Sequence, residues 1–159
     1  INLVTAFIAS RVIGAFEGSI EKLAALAALM PIVAGIGGNS GNQTITMIVR
    51  ASALDQVNPN AIRRLWQKEL GVALFNGLIW GGVIGTVAAL LYESPMLGLV
   101  MTAAMTLNLL LAAFMGVGIP MALIRLGRDP ALGASVFLTF MTDSGGFFIF
   151  LGLATLFLM

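Results

Sequence analysis

Long apolar stretches separated by short polar connections are the feature that most constrains the fold of this chain. A helix of about 20 apolar residues crosses a bilayer, and several stretches of the sequence exceed that length. Only 9% of the 159 residues are charged, whereas soluble domains carry about 25%. We therefore expect an all-α, multi-pass membrane protein whose partner is the lipid bilayer.

Five apolar segments are the natural count of membrane spans. Turn-forming residues separate them, as at Asn58-Pro59-Asn60 and Glu93-Ser94-Pro95. Either Asn58 or Asn60 is placed to cap a short helix that precedes the third span. Within a single transmembrane pore domain covering residues 1–159, the predicted spans are residues 1–16, 23–49, 70–92, 96–123 and 131–159.

Basic residues are distributed unevenly among the connecting loops, and this predicts the orientation of the chain. The loops after spans two and four carry six basic residues, whereas the two opposite loops carry only Lys22. Basic loops stay on the cytoplasmic side of a membrane, so we expect a cytoplasmic N-terminus and an external C-terminus. The six residues are Arg50, Arg63, Arg64, Lys68, Arg125 and Arg128.

The composition excludes several kinds of chemistry. The chain contains no cysteine and no histidine, which excludes thiolate and imidazole metal sites and histidine proton relays. Gly38-Asn39-Ser40-Gly41 has the form of a serine-protease motif, but the serine lacks a histidine base. An aspartyl protease needs two carboxylates in one site, and Asp143 is the only aspartate deep in a span. We therefore expect neither an enzyme nor a nucleic-acid-binding protein.

Asp143 is the principal candidate functional residue, because it is the only acidic residue in the last apolar segment. A charged side chain in hydrocarbon costs roughly 2.5–3.5 kcal/mol on insertion scales, so the carboxylate should face a polar cavity or a cation. Thr139 shares its helix face at a spacing of four residues. A hydrogen bond to a polar side chain on a neighbouring helix is the alternative, whereas a deep salt bridge lacks an obvious basic partner.

The second span contains an unusually polar segment, Pro31 to Thr44, with four glycines and five uncharged polar side chains. Such a segment suits a helix that lines water, since lipid offers amides no hydrogen-bond partners. Close packing of small residues against other helices is the alternative interpretation. The candidate pore-lining residues are Gly38, Asn39, Asn42 and Gln43, together with Thr139 in the fifth span.

A single deep carboxylate per chain indicates that the site is completed by a second copy. Mg²⁺ prefers oxygen ligands and keeps several waters while using one or two carboxylates. Rings of acidic side chains select cations in pores, and a two-fold dimer is the simplest way to place two copies of Asp143 on one axis. The sequence therefore predicts a homodimer with a central pore for divalent cations.

Two motifs resemble the membrane domain of the MgtE magnesium channel family: PIVAGIGGNSGNQ (residues 31–43) and FLTFMTDSGGFF (residues 137–148). The resemblance covers essentially the whole chain. It implies a homodimeric Mg²⁺-selective channel, with a pore between the second and fifth helices of both subunits and hydrated Mg²⁺ bound at Asp143. It also implies cytoplasmic regulatory domains ahead of the first span, a helical N-domain and a pair of CBS modules, which this sequence does not contain.

Two other functions stay open at the level of sequence. One is an ion-coupled secondary carrier of divalent cations that uses Asp143 as its proton or Na⁺ coupling site. The other is a membrane anchor that transports nothing. Selectivity for Mg²⁺ over Mn²⁺, Co²⁺, Ni²⁺ and Ca²⁺ is also not decided, although oxygen-only ligands disfavour tight capture of transition metals.

Overall fold

The computed structural model describes residues 2–159, apart from the side chain of Lys22, and all the regular secondary structure of this part of the chain is α-helical. The all-α prediction is therefore confirmed. Ile1, in the first predicted span, lies outside the described residues. The helices are α1 (Asn2–Ala15), α2 (Glu17–Lys22), α3 (Ala25–Ala53), α4 (Pro59–Leu91), α5 (Pro95–Arg125) and α6 (Ala134–Leu158).

The third predicted span begins earlier than the sequence suggested. The short basic helix and the span from Leu70 are one continuous helix, α4, which starts at Pro59. Asn58, not Asn60, caps it, because its side-chain oxygen accepts a 2.8 Å hydrogen bond from the Ala61 backbone amide. No proline follows in the first turns of α4, so nothing interrupts the helix at the predicted boundary.

Two smaller boundaries also differ from the prediction. Residues Glu17–Lys22 form the six-residue helix α2 where a turn was expected. The last helix begins at Ala134 and not at Ala131, because Gly133 adopts a left-handed backbone conformation with φ of 91°. Glycine takes that conformation without steric cost, so Gly133 marks the change from turn to helix.

Among the described residues, three helices are long and apolar enough to cross a membrane: α4, α5 and α6. Helix α1 is apolar but has only 14 residues, and α3 has 29 residues but carries the polar segment, which lowers its mean hydropathy. The count of five spans therefore stays a prediction. The length of α3 is sufficient for a span, since a helix rises about 1.5 Å per residue.

Helix α5 is the centre of the bundle and packs against α3, α4 and α6, while α1 lies against α6. The α4–α5 contact is very close, because Gly77, Gly81 and Gly85 follow one another at intervals of four residues on the face toward α5. A Cβ atom built at Gly85 would lie 2.5 Å from the carbonyl oxygen of Gly98. Small residues at such intervals are the usual means by which membrane helices approach each other.

Candidate cation site

The polar face of α6 carries Ser135, Thr139 and Asp143, which recur at intervals of four residues and therefore lie along one side of the helix. All three line a cavity of about 310 Å³. The opposite wall comes from α1, which contributes Asn2, Thr5 and Ala6. The structure thus places two predicted site residues, Asp143 and Thr139, in one cavity.

The hydroxyl groups of Ser135, Thr139 and Thr5, which line this cavity, already donate hydrogen bonds to other protein atoms. Ser135 donates to the side-chain oxygen of Asn42 at 2.6 Å, and Thr139 donates to the carbonyl oxygen of Ser135 at 2.9 Å. Thr5 likewise donates to the carbonyl oxygen of Asn2 at 2.9 Å. Each hydroxyl oxygen keeps its acceptor capacity, so the cavity combines hydrogen-bond acceptors with one carboxylate.

A hydrated divalent cation has the complementary chemistry, because its water shell presents hydrogen-bond donors outward. With a metal–oxygen distance of about 2.1 Å and a water radius of about 1.4 Å, a fully hydrated octahedral cation of the size of Mg²⁺ occupies roughly 180 Å³. The cavity is larger than this, and none of the described side chains that line it is basic. It has both the volume and the charge for a cation that keeps its waters.

Direct coordination of a bare metal ion is a poorer fit to the same residues. In the described part of the chain, no group of three or more Asp, Glu, His or Cys side chains comes together. A dehydrated Mg²⁺ ion requires a near-octahedral set of oxygen ligands, and one carboxylate with a few hydroxyls does not supply it. The arrangement within one chain therefore suits contact through the water shell.

Of the predicted α3 residues, Asn42 is the one hydrogen-bonded to a side chain that lines this cavity, that of Ser135. The side-chain oxygen of Asn42 accepts the hydrogen bond from Ser135, and its side-chain nitrogen donates to the carbonyl oxygen of Gly38 at 2.9 Å. Gly38 itself faces α6, where a Cβ atom would meet the Thr142 hydroxyl at an ordinary contact distance of 3.6 Å. Asn42 and Gly38 therefore belong to the α3–α6 contact next to the cavity.

Asn39 and Gln43 are not part of the cavity. Both side chains are exposed, on a stripe of α3 that also includes Pro31 and Gly35. Gly37 and Gly41, on the opposite side of the same polar segment, are buried against the rest of the bundle. Close packing therefore describes Gly37 and Gly41, whereas Gly35 is exposed beside the amides and pore lining by Asn39 and Gln43 stays a prediction.

The sequence alone does not predict the α1 wall of the cavity or the hydrogen bond from Ser135 to Asn42. Asn2 and Thr5 are three residues apart and share a helix face, but nothing in the sequence indicates that α1 packs against α6. Another unforeseen contact joins α3 to α4, where the buried Thr44 hydroxyl donates to the Glu69 carboxylate at 2.6 Å. Glu69 lies just before Leu70, in the part of α4 that the sequence predicts as a separate short helix.

The fold and the cavity define a polytopic helical membrane protein with a site suited to a hydrated cation. A profile of the MgtE family, described as divalent cation transporter, matches residues 30–153. The chain belongs to this family, which is a family of transporters and not of enzymes.

Three characterised relatives extend the similarity across the chain. The magnesium transporter MgtE of Thermus thermophilus is 34% identical over 99% of the chain, and that of Bacillus subtilis is 30% identical over 98%. The magnesium transporter MgtE of Enterococcus faecalis is 28% identical over 90% of the chain. The chain spans about a third of the length of these relatives, covering 35%, 35% and 32% of them, respectively.

Proposed function

We propose that this chain forms the membrane domain of a Mg²⁺ channel, through which the ion moves down its electrochemical gradient. The observation that carries the proposal is the cavity at Asp143, which pairs one carboxylate with hydroxyl oxygens whose protons are already used. Such a surface accepts hydrogen bonds from the water shell of a hydrated cation. The relatives named as magnesium transporters support Mg²⁺ as the transported ion.

The complete pore is proposed to need two copies of the chain. One Asp143 offsets only half the charge of a divalent cation, and a two-fold axis would bring a second carboxylate to the path. The exposed stripe of α3 supports this arrangement, because the amides of Asn39 and Gln43 find no hydrogen-bond partners in lipid. In the dimer, α3 and α6 of both subunits line the central pore.

Downhill movement needs no coupled ion. The membrane potential contributes about 2.3 kcal/mol per elementary charge per 100 mV, so a doubly charged ion gains roughly twice that on moving inward. With the proposed cytoplasmic N-terminus, the basic start of α4 and the start of α6 lie on the cytoplasmic side. The resemblance to the family also supports cytoplasmic regulatory domains, which would close the pore when Mg²⁺ is plentiful.

Replacement of Asp143 tests the proposal most directly. In proteoliposomes with a trapped Mg²⁺ indicator, we expect Asp143→Asn to abolish the Mg²⁺ influx that an inside-negative potential drives in the intact protein. Glu93→Gln is the matched control, since it also removes one carboxylate but in an exposed turn, and it should leave influx unchanged. Equal influx in the Asp143→Asn and wild-type proteins would refute the proposed site.

The same preparation distinguishes a channel from a carrier. We expect unitary current steps in planar bilayers and an influx that does not depend on a proton or Na⁺ gradient. A strict requirement for either gradient would instead favour the ion-coupled carrier, with Asp143 as its candidate coupling site. Parallel flux measurements with Mn²⁺, Co²⁺, Ni²⁺ and Ca²⁺ would determine which cations share the path.

A further inference from the structure

The wall of the cavity opposite Asp143 belongs to α1, a helix to which neither the two motifs nor their spacing assigns a role. Asn2, Thr5 and Ala6 line the cavity from positions i, i+3 and i+4, so they form one continuous patch on α1. Thr5 supplies the hydroxyl of this patch. Because α1 lies against α6, the patch faces the helix that carries the carboxylate.

The chemistry of Thr5 matches that of the α6 side of the cavity. Its hydroxyl donates to the Asn2 carbonyl oxygen at 2.9 Å, which leaves the hydroxyl oxygen available as an acceptor. Threonine and serine often form such local bonds in helices, so the bond alone does not identify a site. The position of Thr5 carries the argument, since this residue lines the cavity that Asp143 and Thr139 also line.

Ser10 is a useful comparison, because it is a second hydroxyl on α1 that does not line the cavity. It also donates to a backbone carbonyl one turn earlier, that of Phe7, at 3.0 Å. However, Ser10 lies outside the cavity, in a separate depression near Glu17 and Glu21. The two hydroxyls therefore share their local bonding and differ in whether they face the carboxylate.

We propose that Thr5 is a further cation-binding residue of the path, whose hydroxyl oxygen accepts a hydrogen bond from a water molecule of the hydrated divalent cation opposite Asp143. This inference rests on the proposed function and extends it to a third helix. An acceptor on α1 and acceptors on α6 contact a hydrated ion from two sides.

The test uses Thr5→Val, which replaces the hydroxyl by a methyl group of nearly the same shape, with Thr5→Ala as a second variant and Thr5→Ser as the variant that retains the oxygen. Ser10→Ala is the matched control on the same helix. The probes are Mg²⁺ and cobalt(III) hexaammine, an inert cation whose shell presents only hydrogen-bond donors. Binding of each probe to the intact protein in detergent is measured by titration calorimetry.

We expect Thr5→Val and Thr5→Ala to weaken the binding affinity for each probe by about two- to tenfold, the effect of losing one hydrogen bond. Thr5→Ser and Ser10→Ala should bind as the wild type does, and the melting temperature without divalent cations should stay unchanged. A purely structural role for Thr5 would lower that melting temperature without weakening hexaammine binding, and this result would overturn the inference. Wild-type affinity in both Thr5→Val and Thr5→Ala would also overturn it.

Asp143→Asn in the same titration separates this inference from the proposal on which it rests. If Asp143→Asn abolishes binding while Thr5→Val binds normally, only the role of Thr5 is refuted. If Asp143→Asn binds both probes as the wild type does, the cation site itself is refuted.

Discussion

Asn108 on α5 lies directly opposite Gly146 on α6, where a Cβ atom would come within 2.7 Å of the Asn108 side-chain nitrogen. The same nitrogen donates a 2.7 Å hydrogen bond to the carbonyl oxygen of Val33 on α3. Gly37 on α3 faces the amide in the same manner, at 2.6 Å. A single fully buried side chain therefore contacts both motif-bearing helices and requires a glycine on each.

The Asn108 junction predicts a specific cost for any side chain at Gly146. We expect Gly146→Ala to displace the Asn108 amide and to lower the free energy of unfolding by about 1–3 kcal/mol, the usual range for overpacking a core. The melting temperature in detergent, followed by tryptophan fluorescence, would report this change. Gly152→Ala on the same helix is the control, because a Cβ atom there meets no atom within 4 Å. Equal melting temperatures for the two variants would contradict the junction.

The hydrogen bond from Thr44 to Glu69 predicts an energetic coupling between α3 and α4. Interhelical hydrogen bonds in membrane proteins average about 0.6 kcal/mol and reach about 1.7 kcal/mol. We expect a double-mutant cycle of Thr44→Val and Glu69→Ala to give a coupling energy of about 1 kcal/mol, within that range, when unfolding is followed by circular dichroism. Glu69→Gln, which keeps an oxygen acceptor, should lose less stability than Glu69→Ala. Additive effects of the two substitutions would show that the contact contributes nothing.

Local features of the sequence predicted the helices well, whereas contacts between helices depended on information that no single segment carries. The turn at Asn58-Pro59 and the apolar character of α4 to α6 follow from local rules, and the structure confirms them. The change from polar to apolar residues near Leu70 predicts a boundary between the basic helix and the third span. The structure shows one continuous helix across that position. A helix ends only where its backbone is interrupted or capped.

The cavity was only partly predictable for the same reason. Asp143 and Thr139 were placed together because helical spacing alone puts them on one face. The role of Thr5 depends on α1 packing against α6, and that of Ser135 on its bond to Asn42. The α3 residues predicted to line water, Gly38, Asn39, Asn42 and Gln43, do not share one environment, because neighbouring residues of a helix point in different directions. Asn39 and Gln43 are exposed beside Gly35, whereas Gly37 and Gly41 are buried against the rest of the bundle.

The cavity predicts that divalent cations stabilise the folded protein. A ligand present at 100 times its dissociation constant adds about 2.7 kcal/mol of stability, so the melting temperature should rise with Mg²⁺ concentration. We expect Asp143→Asn to remove this dependence, because Asp143 is the only carboxylate among the described residues that line the cavity. Thr139→Val should reduce the dependence without removing it, since it deletes one acceptor.

The matched control for Thr139→Val is Thr86→Val on α4. Thr86 also donates to a backbone carbonyl one turn earlier, that of Gly82, at 2.7 Å, and it is exposed away from the cavity. Thr86→Val should leave the response to Mg²⁺ unchanged. An identical rise of the melting temperature in the wild-type and Asp143→Asn proteins would place cation binding elsewhere on the molecule.

The exposed stripe on α3 predicts which surface meets a second copy of the chain. The sequence contains no cysteine, so a single introduced cysteine reports its own environment without further changes. If α3 lines the two-fold axis, we expect Asn39→Cys and Gln43→Cys to form disulfide-linked dimers in native membranes under mild oxidation, visible on non-reducing gels. Val83→Cys on α4, whose native side chain is 47% exposed, should stay monomeric on the same gels because α4 faces lipid in the proposed dimer.

Efficient cross-linking through Val83→Cys, with none through either α3 position, would move the dimer contact to α4. It would also remove α3 from the lining of the pore.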